Sequence, residues 1–263
     1  MQNRSTERTS GVRFRHFILS PVAVFGVAAL LPVALQGNGA PVVYAQAPVA
    51  VIADGCDIPP GKLARMASRT LTGIEERLNI RLRKADLTVR VCGNDAAYQR
   101  AGGLGNTDAC YLCPSTIVLR RPRSLSGDLA HEFAHVLIHE RTAARCPAWL
   151  EEGIVNHENH ITPDGQYTEI ERQRLDSALR NAARADRNWD LESLCQAAQE
   201  SHTMDDAFYG AAWSASESLY RTYGREAVLK ALDDMAAFGV DGAFQRRFGV
   251  NVSQFETAWK ASL

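Results

Sequence analysis

The segment that most restricts how this chain can fold is Leu125–His139, where Asp128, His131, Glu132, His135 and His139 interrupt an otherwise apolar run. At roughly 100° per residue, these five side chains fall within one helical sector of about 100°. Leu129, Ala130, Phe133, Ala134, Val136, Leu137 and Ile138 occupy most of the remaining circumference. A surface helix carries the opposite proportion, a broad polar face and a narrower apolar one. The pattern therefore predicts a helix over residues 125–140 that is enclosed on every side except its polar stripe. Imidazoles and a carboxylate concentrated on such a stripe need a compensating partner, because unpaired polar groups are costly to bury. His131 and His135, four residues apart, project side by side and can converge on one Zn2+. Glu132 is offset, so it misses the metal but can reach a water beside it.

Composition agrees with a fold able to surround such a helix. Of the 263 residues, 46% are hydrophobic and 22% charged, which excludes disordered, collagenous and coiled-coil classes. The 29 Lys+Arg nearly cancel the 30 Asp+Glu. No basic excess is left to neutralise phosphates, so nucleic acid is not an expected partner.

The N-terminus is different material. Arg4, Arg8, Arg13 and Arg15 face one acid, Glu7; an uncharged run, Phe17–Leu35, follows, and then Val43-Tyr44-Ala45. Basic flank, apolar stretch and small-residue cut site are the parts of a secretory signal over residues 1–45, with Gln46 as the first mature residue. The alternative is an uncleaved membrane anchor, since the apolar run is long; Pro21, Pro32 and the Gly/Ala-rich tail favour cleavage. No second long apolar stretch follows. The expectation is an exported protein, periplasmic or secreted, with no stable membrane insertion once the signal is removed. Losing the four arginines and one glutamate leaves 218 residues with 25 basic and 29 acidic, a formal charge of −4. Residues 46–59 read as an Ala/Pro/Val linker and residues 60–263 as one domain.

All six cysteines, Cys56, Cys92, Cys110, Cys113, Cys146 and Cys195, lie beyond the signal. In an exported chain an even count reads as up to three disulfides, and the preferred pairing is Cys56–Cys92, Cys110–Cys113 and Cys146–Cys195. Cys110-Tyr111-Leu112-Cys113 also opens a thiol oxidoreductase reading, although no thioredoxin-like βαβ pattern surrounds it.

Leu63, Met66, Ala67, Leu71, Ile74 and Leu78 lie at helical spacing over residues 60–79. Leu87, Val89 and Val91 alternate with polar residues as in a half-buried strand, and Thr116–Leu119 is a second short strand closed by Pro122. Helical patterns then cover residues 147–159, 168–185, 205–222 and 225–237, with short helices near 242–248 and 253–261. Few strands early and many helices later predict an α+β fold dominated by helix.

Pro147-Ala148-Trp149-Leu150-Glu151-Glu152-Gly153-Ile154-Val155-Asn156 opens a helix shortly after the histidine helix. The two segments together resemble the gluzincin metallopeptidases, the thermolysin-like and aminopeptidase-like group. They are most similar to the bacterial peptidase MA-like domain, whose second helix typically reads Trp-Leu-x-Glu-Gly. Downstream, Phe208–Trp213 through Tyr223-Gly224, and Phe248-Gly249 followed by Phe255–Trp259, look like that family's later helices. The resemblance implies a small N-terminal sheet packed on the active-site helix, followed by a helical lobe. It implies one Zn2+ per chain on His131, His135 and Glu152, with Glu132 as general base and a peptide or protein as substrate. Asn156 stands where the family orients a ligand histidine, and Tyr209 stands at its oxyanion-donor position, with His202, Tyr220 and Tyr223 as other candidates. Ile117–Leu119 would be the edge strand on which an extended peptide lies. Glu151 competes with Glu152, its other role being a solvated charge at a helix start. His139 does not fit the third-histidine spacing of metzincins and reads as a partly exposed neighbour of the site; His157 and His160 read as surface residues. The Gly-x-Met-Glu-Asn signature of aminopeptidases is absent. A zinc-stabilised binding protein without turnover is the alternative from another class.

Overall fold

The computed structural model describes residues 42–46, 48–83, 86–103, 107–120, 125–159, 169–185, 190–201 and 206–263. A five-stranded mixed sheet occupies the N-terminal half and helices follow it. The strands are β1 (Val42–Gln46), β2 (Val49–Asp54), β3 (Leu87–Cys92), β4 (Ala109–Leu112) and β5 (Thr116–Arg120), in the order β1-β2-β3-β5-β4. β2, β3 and β5 run parallel, with β1 and β4 antiparallel at the two edges. Parallel neighbours need a long crossover, and α1 (Pro60–Leu78) supplies it between β2 and β3.

Alternation along the strands sorts the two faces. Val49, Val51, Leu87, Val89, Ile117 and Leu119 enter the main core beneath α1 and α3 (Leu125–Thr142), while Val118 and Cys92 meet Ala97 and Tyr98 of α2 (Asp95–Arg100) on the other face. α1 buries Leu63, Ala64, Ala67, Leu71, Ile74 and Leu78, the stripe its spacing predicts. The second half comprises α4 (Ala148–Asn159), α5 (Glu169–Ala185), α6 (Leu191–Ser201), α7 (Asp206–Tyr223), α8 (Arg225–Phe248) and α9 (Val252–Lys260). α7 packs against α4, α5, α6 and α8, which makes it the pillar of this half. None of the described helices is long and apolar enough to cross a membrane.

Several expectations change at this level. The segment read as a linker carries β1 and β2, and β2 is an interior strand. Its Ala and Pro content disguised it, and its ladder partner β3 lies more than thirty residues away in sequence. The cut expected after Ala45 falls inside β1, whose Tyr44 packs against the core. The two helices expected over residues 225–237 and 242–248 are both present as the two arms of α8, which is broken at Gly239, where the backbone is not helical (φ 71°). β4, α2 and α6 are additions to the expected elements.

None of the three expected disulfides is formed; all six cysteines remain thiols. Cys56 packs against the main core, whereas Cys92 faces the smaller cluster on the opposite side of the sheet. Cys110 points into that same cluster and sits 3.6 Å from the Tyr98 hydroxyl. Cys113 instead lies exposed beyond the strand end, 3.8 Å from His139 Nε2. Cys195 Sγ takes the backbone N–H of Trp149 rather than bonding Cys146.

Candidate metal centre

α3 is buried along most of its length, with Leu129, Phe133, Ala134, Val136, Leu137 and Ile138 at 3% exposure or less, so its polar residues open on one side only. Left-handed residues Ala143 (φ 51°) and Ala144 (φ 59°) end the helix, and the Ala144 N–H donates to the His139 carbonyl at 2.9 Å. The chain then enters α4, whose second turn faces the middle of α3. On its other side, Gly153 lets α4 lie close against α7. A Cβ there would collide with the Ser216 hydroxyl and the Ala212 carbonyl oxygen of α7, so any larger residue would displace the helix that carries Glu152.

Three side chains converge. His131 Nε2 and His135 Nε2 are 3.1 Å apart, His135 Nε2 is 3.4 Å from Glu152 Oε1, and His131 Nε2 is 3.7 Å from Glu152 Oε2. Tetrahedral zinc with bonds of about 2.0–2.1 Å holds its ligand atoms about 3.3 Å from one another. The three separations bracket that value. Among the described residues, this is the group of His, Cys, Asp and Glu side chains able to hold a metal ion. Glu152 Oε2 is buried with no hydrogen-bond partner, an orphan acceptor that a cation would satisfy. The donor set therefore fits zinc.

Electrostatics point the same way. Burial works against a charged His135, but Glu152, Glu151 and Glu132 outweigh it and raise its pKa to about 10. Three acidic side chains thus surround this imidazole and favour positive charge at the spot. Burial raises Glu152 as well, with His135 opposing. Glu132, 5% exposed, is pushed up by burial to about 7, with His135 and the Tyr111 backbone N–H opposing and Glu152 and Asp128 reinforcing the rise. Near neutrality a carboxyl group can both accept and return a proton.

The residue that sequence reasoning missed is Glu151. Read as a solvated helix-start charge, it instead accepts from His135 Nδ1 at 2.8 Å, the nitrogen facing away from the metal position. Such a carboxylate fixes the tautomer and the ring orientation and makes the ligand nitrogen more basic. Asn156, expected to orient a ligand histidine, is buried on α4 with its Nδ2 unpartnered, so the described contact to a ligand histidine comes from Glu151. The Trp-Leu-x-Glu-Gly resemblance put Glu152 forward as the ligand, but nothing in the sequence gave Glu151 the task of holding the histidine. Glu151→Gln is expected to weaken zinc binding about 10- to 100-fold without abolishing it, measurable by competition against a chromophoric chelator; unchanged affinity would remove this role.

A cleft of about 790 Å³ opens over the three donors, with Tyr111 and Ala109 of β4 on one side and Tyr209 and Arg174 on the other. β5 is paired on both sides, so the exposed edge is β4, not Ile117–Leu119. The Arg120 N–H donates to the Asp108 carbonyl at 2.7 Å, one step beyond the Ala109–Leu119 pair. By antiparallel alternation the backbone groups of Ala109 and Tyr111 then point away from β5. The Tyr111 N–H is taken by the Glu132 carboxylate, which ties the edge strand to the centre.

His139 lies outside the donor group and meets the Tyr111 ring edge-on. His157, expected at the surface, is half-buried: it stacks on Tyr220 with ring centroids 3.8 Å apart and bonds Glu217 at 3.1 Å. Tyr220 is drawn away from the cleft by Glu158, 2.9 Å from its hydroxyl, and Tyr223 packs on Phe248. His160 and His202 lie outside the described residues. The sequence matches no protein-family profile and no curated protein.

Proposed function

We propose that this chain is a zinc metallopeptidase, hydrolysing peptide bonds in the cleft over His131, His135 and Glu152. One observation carries the reading. Glu132 is buried beside a zinc-sized donor triangle, yet it is not part of that triangle and is held by the free edge strand through Tyr111. A purely structural metal has no use for such a carboxylate.

When bound, zinc supplies a Lewis acid that lowers the pKa of a water and polarises a carbonyl. Glu132 takes the proton of the water as its oxygen adds to the carbonyl carbon. It then delivers that proton to the amide nitrogen as the C–N bond breaks, leaving an amine and a carboxylate. Tyr209, on the cleft wall in the first turn of α7, donates a hydrogen bond from its hydroxyl to the developing oxyanion and keeps its proton. The outward backbone groups of Ala109, with the Tyr111 carbonyl, pair with an extended substrate as an added strand.

Purified protein is expected to carry about one zinc per chain and to cleave members of a mixed peptide library, with activity lost to a chelator and restored by zinc. Stoichiometric zinc without cleavage of any peptide would instead indicate a zinc-stabilised binding protein.

A further inference from the structure

We infer that Arg174 selects the substrate by binding a peptide carboxylate on the α5–α7 wall of the cleft. This inference rests on the peptidase reading above and adds a substrate class to it.

Arg174 is the only Lys or Arg among the described residues that line the cleft, whose other charged groups include Asp108, Asp128 and Glu151. Away from the metal position, the acidic groups disfavour an anion, and Arg174 is the lining side chain that favours one. This fixes where its anion sits relative to Glu132 and makes the repulsion part of the selectivity.

The backbone beneath Arg174 is fixed by close packing. α5 is pressed onto α7 at Gly210, where a Cβ would lie 2.5 Å from the carbonyl oxygen of Leu175, the residue next to Arg174. Leu175 and Leu179 are each 2% exposed in the same contact. Only a glycine at position 210 lets α5 come close enough to place Arg174 on the wall.

The guanidinium itself is lightly engaged. Its ion pair, Nη2 to Asp206 Oδ1, is 3.5 Å long, with side chains 62% and 43% exposed. That is longer than a charge-assisted hydrogen bond of about 2.7–2.9 Å. Exposed pairs of this kind hold weakly. The planar fork of donors on arginine matches a carboxylate in bidentate fashion. Asp206 lies one turn before Tyr209 on α7, so the anion position stands beside the residue proposed to meet the oxyanion. The carboxylate can come from an acidic side chain or from a peptide C-terminus. The first source implies an endopeptidase with an acidic preference, the second a carboxypeptidase.

The test uses full-length Glu132→Gln protein loaded with zinc and three labelled peptides followed by fluorescence anisotropy. One contains a glutamate and has an amidated C-terminus, one has a free C-terminus and no acidic side chain, and one is neutral and amidated. At least one anionic peptide is expected to bind about tenfold more tightly than the neutral one, as a charged hydrogen bond allows. Which anionic peptide it is identifies the source. Arg174→Gln in the same background should erase that difference at constant zinc content, and Arg174→Asp should reverse it. In protein with Glu132 intact, Arg174→Gln should raise KM for the favoured peptide. Equal weakening of all three peptides, or of none, would overturn the assignment. Selective binding without cleavage of any peptide by the unmutated protein would instead sink the peptidase reading and leave the anion position standing.

Discussion

Glu132→Gln is expected to retain zinc and fold while losing about 10²- to 10⁴-fold in peptide hydrolysis, the usual span for removing a general base. The amide has nearly the shape of the carboxylate and can still accept from the Tyr111 N–H. It cannot take a proton from water, so binding and chemistry separate. Because the group is 5% exposed, replacing it with a neutral isostere also removes a buried carboxyl, and thermal stability should hold or rise. Tyr209→Phe in parallel is expected to lower kcat roughly 10²-fold, as loss of an oxyanion donor does, with zinc content unchanged. Near-normal turnover in Glu132→Gln would refute the mechanism, and unaltered kcat in Tyr209→Phe would remove the tyrosine from it.

Glu152→Ala and His131→Ala are expected to strip the metal. Each leaves two ligands where tetrahedral zinc requires three from the protein and one open position. Elemental analysis after dialysis at limiting zinc should find little bound metal in either variant. His139→Ala, whose ring turns to Tyr111 and Cys113, should bind zinc as the unmutated protein does. If Glu152→Ala kept its zinc while Glu151→Ala lost it, the two carboxylates would have to exchange roles. The distances favour Glu152 as the ligand, because it reaches the Nε2 atoms of both histidines, whereas Glu151 holds the far nitrogen of one of them.

The sequence by itself determined the histidine helix and its depth in the fold. Apolar residues around most of Leu125–Thr142 can be satisfied only by enclosure, and α3 is enclosed. It also determined that His131 and His135 face one point, because four residues in a helix bring side chains to one side whatever surrounds them. The stripe of α1 and the alternation of β3 were legible for the same reason: a local period is written in a local run of residues. What crosses the chain was not legible. β2 owes its strand to β3, β4 is the free edge because β5 lies inside it, and His157 is half-buried because α7 covers it. The division of labour between Glu151 and Glu152 is of this kind. Two neighbouring carboxylates on one helix point about 100° apart, and which of them meets the Nε2 atoms of both histidines depends on how α4 lies across α3. The lie of α4 depends in turn on α7: Gly153 leaves room for Ser216 and Ala212, more than fifty residues further along the chain. Local periodicity chose His131, Glu132 and His135, a family resemblance put Glu152 forward, and only the packing of α4 between α3 and α7 decided what each of them touches.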